Sequence, residues 1–347
     1  MNPGIAYALL GAALFGASTP VAKLLVGEVG PLTLAGLLYA GSGLGLGTWL
    51  LVRRWLRPAS RGGALGARDY KWLAGAIVFG GVIGPVLLML GLSTASAAAV
   101  SLLLNLEGVF TALLAWFVFR ENFDRRVMLG MLLIVCGSLL LSWPSGEIAT
   151  SLPGLAVAGA CLCWAIDNNL TRKISAGDPV QIAGIKGLAA GAVNLCASAA
   201  LGAVRPGLES ALAAAAVGFL GYGVSLALFV VALRLLGTAR TGAYFATAPF
   251  IGAAASFALL GEAPDTLFWV AAVLMGTGVA LHLSERHGHA HQHEALAHAH
   301  SHTHDEHHRH EHDFDWDGTE PHSHGHDHVP MTHSHEHYPD IHHRHGH

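Results

Sequence analysis

The sequence predicts an all-α integral membrane protein: ten transmembrane helices in two five-helix inverted repeats, followed by a disordered C-terminal tail. Three observations predict it. Only 12% of the 347 residues are charged and 52% are hydrophobic, against about 25% charged in soluble domains. Ten apolar runs follow one another, and the two halves of the apolar part resemble each other. The averages also join two unlike pieces. All 24 histidines lie at or after His282. Residues 287–347 carry two Arg against 11 Asp/Glu, a formal charge of −9, whereas residues 1–286 carry 17 Lys/Arg against 12 Asp/Glu, a charge of +5.

The apolar runs fall at about 4–26, 31–52, 72–92, 95–118, 127–143, 153–171, 179–203, 212–233, 238–260 and 265–283. Each is long enough to cross a hydrocarbon core about 30 Å thick, although the fifth and sixth are short. None alternates with period two, so helices rather than barrel strands satisfy the backbone. No basic residues precede the first run, so it is expected as a retained helix rather than a signal peptide. Cys136, Cys161, Cys163 and Cys196 sit inside apolar runs in no paired-cysteine pattern and are expected as small buried hydrophobes.

Basic residues set the sidedness. One set of connections holds Arg53, Arg54, Arg57, Arg61, Arg68, Lys71, Arg120, Arg125, Arg126, Arg172, Lys173, Arg234, Arg240 and Arg286; the other holds Lys23 and Arg205. The excess of positive charge belongs in the cytoplasm. Both termini are therefore expected there, in the inner (cytoplasmic) membrane of a cell.

Gly4-Ile5-Ala6-Tyr7-Ala8 aligns with Gly154-Leu155-Ala156-Val157-Ala158, and Lys23 then meets Lys173. Further on, Gly108 pairs with Pro249, Glu121 with Glu262 and Gly137 with Gly278. Five spans per repeat make the repeats opposite in topology, an arrangement typical of secondary transporters. The expected domains are 1–143 and 144–284 for the repeats and 285–347 for the tail. Glycines inside the spans, such as Gly80, Gly81, Gly84, Gly187, Gly191, Gly218, Gly221 and Gly223, are expected mainly at close helix contacts.

Ionisable groups in hydrocarbon are costly and mark candidate sites. Glu107 lies near the middle of the fourth span with no evident partner at its depth. Desolvation favours a carboxyl's neutral form, so such a group can load and release a proton. Asp167, with Asn168 and Asn169, lies toward the cytoplasmic end of the sixth span, and Lys186 about two turns into the seventh. Asp167 and Lys186 have matching depths, so an ion pair is expected. Lys23 lies near the outer end of the first span. Pro20, Pro85 and Pro249 interrupt or bend their spans; Tyr222 and Tyr244 can offer hydroxyls to a cavity or pack as aromatics. The candidate substrate-binding residues are Glu107, Asp167, Asn168, Lys186, Tyr222, Tyr244 and Pro249.

These residues carry a resemblance. Phe15-Gly16-Ala17-Ser18-Thr19-Pro20-Val21-Ala22-Lys23, Thr94-Ala95-Ser96-Ala97-Ala98-Ala99 and Leu106-Glu107-Gly108-Val109-Phe110-Thr111-Ala112-Leu113, closed by Arg120-Glu121, stand in the first half. Thr241-Gly242-Ala243-Tyr244-Phe245, Ala248-Pro249-Phe250 and Gly261-Glu262 stand in the second. In this order residues 1–284 resemble the drug/metabolite transporter superfamily, specifically its ten-helix EamA-domain members. The resemblance implies a secondary carrier moving metabolites, amino acids or drugs, commonly outward (efflux). Members often have proline after the glutamate; Gly108 stands here, which leaves the kink of the fourth span open.

The tail interleaves histidine with small or acidic residues: His287, His289, His291, His293; His298, His300, His302, His304; His322, His324, His326, His328; His333, His335, His337; His342, His343, His345 and His347. It has too few apolar residues for a core, so disorder is expected. Imidazole ligates nickel, cobalt, zinc and copper, and a flexible chain gathers several ligands without imposing selectivity. The tail is therefore expected to bind a divalent transition metal, although transport itself requires no cofactor.

Two functions stand against each other. One is an exporter of a small metabolite, amino acid or drug by alternating access, with the tail an appendage. The alternative is an exporter of nickel, cobalt or zinc whose tail collects the metal. The spans hold no His, Cys or Asp cluster for a bare metal, which favours the first. No nucleophile–base pair or phosphate loop points to an enzyme, and the acidic tail excludes nucleic acid. The expected partners are the lipid bilayer and a small-molecule or ion substrate, with a homodimer left open.

Overall fold

The structure is a computed structural model that describes residues 3–56, 66, 69–119, 125–141, 152–174, 178–283, 288–293, 296–302, 322–328 and 331–336. The chain divides into two units, Met1–Glu285 and Arg286–His347.

The first unit is helical throughout its described regular elements. In chain order they are α1 (Pro3–Val26), α2 (Pro31–Leu56), α3 (Asp69–Ala76), a π-helix (Ile77–Ile83), α4 (Gly84–Thr94), α5 (Ala97–Leu103), α6 (Leu106–Phe119), α7 (Arg125–Leu141) and α8 (Leu152–Arg172). Then come α9 (Pro179–Ala200), α10 (Leu208–Val217), a second π-helix (Gly218–Val224), α11 (Ser225–Phe245), α12 (Ala248–Leu260) and α13 (Thr266–Leu283). Proline opens α1, α2 and α9, where the missing N–H costs nothing. Asp178 caps α9 by accepting from the Val180 N–H at 3.0 Å and pairs with Arg53 near the end of α2. Gly261, at φ 63°, ends α12 in the left-handed conformation that glycine adopts freely.

Among the described residues, six helical stretches are long and apolar enough to cross a membrane: Pro3–Val26, Pro31–Arg53, Asp69–Thr94, Ala97–Leu114, Val180–Ala200 and Leu208–Ala232. Shorter apolar helices and α8, with its polar face, complete the ten-helix membrane fold. The sequence predicts a connection at 234–240, whereas the structure has helix through it. The chain nevertheless reverses inside α11. The rings of Phe229 and Phe245 lie 4.7 Å apart, while sixteen residues of straight helix rise about 24 Å. The eighth and ninth spans are therefore distinct, joined without a gap in helical hydrogen bonding.

The repeat is written into the backbone. The two π-helices lie 141 residues apart at both ends. Each closes with an i→i−5 bond, Gly84 N–H to the Phe79 carbonyl and Ser225 N–H to the Leu220 carbonyl. The fourth span breaks at Leu104–Asn105 and the ninth at Ala246–Thr247, 142 residues on. The fourth span thus breaks without a proline at Gly108. Proline in the first turn of α12 follows a break that the first half makes with Asn105, whose Nδ2 donates to the Leu102 carbonyl at 2.8 Å.

Helices pack mainly across the repeats. α2 crosses α9 and α7 crosses α13, each against its own counterpart, and α5 of the fourth span packs on α12 of the ninth. α1 packs on α11 and α12, as α8 packs on α4 and α6. Small residues make these crossings close. A Cβ on Gly43 would run into the backbone of Gly187 and Leu188, one on Gly187 into Gly43, and one on Gly278 into Gly130. The glycines thus hold contacts, as expected.

The second unit is the histidine-rich tail. Where the sequence predicts no regular structure, its described residues form four strands: β1 (Gly288–His293), β2 (Leu296–His302), β3 (His322–His328) and β4 (Met331–Glu336). β1 pairs antiparallel with β4, and β2 with β3, His298, His300 and His302 standing opposite His326, His324 and His322. The composition that predicts disorder supplies no apolar face to cover these two-stranded ladders, which are marginal in water on their own.

Gly43 and Gly47 test the crossing from within one helix. A Cβ at Gly47 meets nothing within 4 Å. Gly43→Val is expected to destabilise the detergent-solubilised protein by about 1–3 kcal/mol through overpacking, read as a lowered midpoint of thermal unfolding. Gly47→Ala is expected to leave that midpoint unchanged or raise it.

Candidate substrate-binding site

The site begins with a backbone problem. Pro85 has no N–H, so it can donate to neither the Gly81 carbonyl four residues back nor the Gly80 carbonyl five back. A carbonyl left bare in hydrocarbon costs several kcal/mol, about the worth of a lost hydrogen bond. Three side chains supply the missing donors. The Tyr39 hydroxyl donates to Gly80 O at 2.6 Å and Trp164 Nε1 to the same oxygen at 3.0 Å. Asn194 Nδ2 donates to Gly81 O at 3.1 Å. These donors come from α2, α8 and α9, so the π-helix draws three spans together.

A third freed carbonyl lies at the break in the fourth span. Glu107 N–H bonds to Leu104 O at 3.1 Å instead of continuing the α-helix to Leu103 O. Leu103 O instead receives the Cys161 thiol at 3.7 Å. Cys161 is therefore more than a small apolar filler.

Cys161, Trp164 and Asn168 lie at helical spacing on α8, with Asp167 beside them. Asn168 Nδ2 donates to Glu107 Oε1 at 2.7 Å. Glu107, without an evident partner in the sequence, thus has one from the sixth span. Asp167 is buried, pairs with half-buried Lys186, and accepts from Thr171 Oγ1 at 3.0 Å. A Cβ at Gly80 would collide with the Asp167 carboxylate, so glycine is what lets the π-helix and the acid share this space. Asn168 is exposed and Glu107 half-buried, and a Cβ at Gly108 would meet nothing within 4 Å. The Glu107–Asn168 pair is therefore partly open rather than sealed in the core.

Aromatic rings form the neighbouring wall. Phe15 lies 6.5 Å from Trp164, 5.9 Å from Tyr222 and 5.8 Å from Phe245, centroid to centroid. Tyr39 lies 5.6 Å from Tyr222. Trp164 and Asn168 are one α8 turn apart, so rings and carboxylate are contiguous.

The structure brings Glu107 to Asn168, Asp167 to Lys186, and Tyr222 into the aromatic wall. It does not join Tyr244 or Pro249 to them. Tyr244 contributes its carbonyl, which accepts from Thr247 Oγ1 at 2.6 Å at the break in the ninth span. Pro249 fills the first turn of α12. Lys23 is a cap: its Nζ donates to Leu92 O at 2.6 Å and Ala95 O at 2.9 Å at the end of α4. Facing it across the corner, the Glu262 carboxylate accepts from the Ala97 and Ala98 N–H groups at 2.7 and 2.9 Å. A cation on the carbonyl end and an anion on the amide end fit the helix dipoles. A separate cleft lined by Ser96, Glu262, Asp265 and Phe268 adjoins this corner.

Sequence reasoning misses Phe15, Tyr39, Trp164, Cys161 and Asn194. Trp164 was within reach of it, one turn before Asn168. Tyr39 and Asn194 signal nothing until Pro85 is seen to free carbonyls opposite them. Among the described residues, no group of three or more His, Cys, Asp or Glu could hold a metal. Tail residues His287, His304, His307, His308, His310, His312, His337, His342, His343, His345 and His347 lie outside the described residues, and the other tail histidines are described by backbone alone.

A profile of the EamA-like transporter family matches residues 2–143 and 152–284. A protein of Methanothermobacter thermautotrophicus called an uncharacterized transporter is 30% identical over 205 residues, covering 54% of this chain and 59% of that protein. The chain thus spans about three-fifths of that relative's length. A crystal structure superposes with a TM-score of 0.57 at 20% identity, over 80% of this chain and 95% of that one, a likeness of fold alone. With two matches to that profile covering most of the chain, the chain belongs to the EamA-like transporter family.

Proposed function

We propose that the protein is a secondary-active carrier that exports a small organic solute, such as a metabolite, amino acid or drug, by alternating access. The observation that carries this reading is the Glu107–Asn168 pair, an acid of the fourth span held by an amide of the sixth and left partly open where the two repeats cross. Glu107 is the protonatable group; Asp167 and Lys186, neutral as a pair, shape polarity around it. The distribution of Lys and Arg supports an inner-membrane location with both termini cytoplasmic. The domain limits 1–143, 144–284 and 285–347 remain part of this reading. Because packing crosses the repeats, rigid rocking of one five-helix half against the other would tear the closest contacts. The moving bodies are instead mixed: α1 with the eighth and ninth spans, against α8 with the third and fourth. The cytoplasmic tail binds nickel, cobalt, zinc or copper through its histidines.

In proteoliposomes with an imposed pH gradient, a panel of amino acids, metabolites and drugs should include at least one driven solute. Glu107→Gln should cut its uptake by about tenfold or more, about 1.4 kcal/mol at the transition state. Normal uptake by Glu107→Gln between about pH 5 and 8 would end the proton-coupling idea. Asp167→Ala strands the Lys186 charge and should cost about 3–5 kcal/mol of stability, whereas Asp167→Leu with Lys186→Leu should recover most of it. Transport by that double variant would make the pair purely structural.

The tail supports a second reading, export of the metal itself. Cells expressing the full chain or a form ending at Glu285 are loaded with nickel, cobalt or zinc, beside empty-vector cells. The organic-solute reading expects unchanged cell metal, or raised metal from a tail acting as a sink. Lowered metal that needs the tail would install the metal exporter in its place.

A further inference from the structure

The corner between the third and fourth spans is held from outside its own span pair. Ala95, at φ −93° and ψ 162°, breaks the helix there, so α4 ends in open carbonyls and α5 begins with open amides. Ser96 Oγ accepts from the Ala99 N–H at 3.2 Å. Two charges from elsewhere meet four more of these groups. Lys23 of α1 donates to Leu92 O and Ala95 O. Glu262 accepts from the Ala97 N–H with one oxygen and from the Ala98 N–H with the other.

Both charges come from the same side of the bundle. α1 packs on α11 and α12, and the Ser225 hydroxyl ties α11 to Gly11 O of α1 at 2.8 Å. Glu262 directly follows α12, where Gly261 turns the chain. The corner belongs to the opposite group, because α4 and α6 pack on α8. The four bonds therefore cross the line along which the two mixed bodies would part. They lie at the end of the bundle away from the basic connections, the outer end.

Position decides which bonds can be given up. The Tyr39, Trp164 and Asn194 bonds lie inside the bundle, where a bared carbonyl finds no water. Lys23 and Glu262 are half-buried at the end of the bundle. There the charges and the groups they hold can exchange one another for water at small net cost. Beside Glu262 lies a cavity of about 280 Å³, bordered by Ser96, Leu141, Phe257, Asp265 and Phe268, which gives the carboxylate room to leave. At the repeat offset of 141, residues 233–239 correspond to 92–98. α11 is helical through them, so the open helix ends of this pair of corners are the outer ones.

We propose that Lys23 and Glu262 form a releasable latch. Bonded, they hold the outer end closed. Exchanged for water, they let the third–fourth corner swing away from α1 and α12. The inference rests on the carrier reading and adds the contact that biases its resting state toward a closed outer end.

The test uses the full chain in lipid nanodiscs, with the exposed native thiols Cys136 and Cys196 replaced by alanine. Spin labels are placed at Leu90→Cys and Leu259→Cys, exposed positions near the outer ends of α4 and α12. Pulsed electron paramagnetic resonance reads the distance between them. One short distance should dominate in the latched protein. Lys23→Gln and Glu262→Gln should each raise the ratio of long to short populations at least about fivefold. Glu28→Gln removes an exposed acid at the same end, bonded to Ser210 of the eighth span, and should not move the ratio. Were the two charges caps for stability alone, Lys23→Gln and Glu262→Gln would lower the unfolding midpoint and leave the ratio unmoved. That result would overturn the latch, as would an equal shift in Glu28→Gln. Proton-driven uptake from the solute panel decides the carrier reading by a separate readout. Uptake with an unmoved ratio ends the latch and keeps the carrier; a moved ratio without uptake of any solute keeps the closure and ends the carrier.

Discussion

In hydrocarbon no backbone carbonyl can turn to water, and this constraint organises the centre of the molecule. Pro85 frees two carbonyls and the break after Leu103 frees a third. Tyr39, Trp164, Asn194 and Cys161 answer them. The four answers come from the second, sixth and seventh spans and pin them to the third or fourth, and the sixth and seventh also carry members of the polar cluster. Once Trp164 is fixed on Gly80, the pitch of α8 places Asn168 toward Glu107 and Asp167 toward Lys186. Backbone satisfaction therefore holds the helices that carry the polar cluster, beside the cluster's own bonds.

The repeats share a scaffold but divide the chemistry. Both third-span equivalents carry a π-helix, and both fourth-span equivalents break after their first two turns or so. At the alignment that pairs Lys23 with Lys173, Asp167 and Asn168 fall opposite Ala17 and Ser18. The duplicated first helix thus gives an acid and an amide on α8, and small residues beside Phe15 on α1. Leu226 stands where the first repeat has Pro85, so the second π-helix is not forced to recruit the same donors. A near-symmetric frame thus holds an asymmetric centre, a polar cluster beside a group of aromatic rings.

The fold was legible because its causes are local. Span length, basic connections and the echo of Lys23 in Lys173 are properties of short windows. The Asp167–Lys186 pair was legible for a related reason, since depth along consecutive spans can be counted. What stayed hidden depends on three-dimensional accounting. Nothing in a window around Asn194 says that a proline in another span leaves a carbonyl beside it. Pro249 and Tyr244 misled because a proline in a span reads as a cavity-lining kink, while here the break precedes it and the first half makes the same break with Asn105. The reversal inside α11 is visible as a basic cluster in sequence but hidden in the hydrogen-bond pattern, and ring proximity recovers it.

The charge of the polar cluster constrains how the proposed carrier can cycle. Asp167 and Lys186 cancel, so moving them between facing states leaves no net charge to desolvate. Glu107 is different, because an ionised carboxylate held between two closed gates is costly in low dielectric. It is neutral when it holds a proton. Under the proposed carrier reading the occluded state is therefore reached with a proton on Glu107 and resisted without one. That constraint follows from placing a single uncompensated acid, held at one oxygen by Asn168, where the two repeats cross.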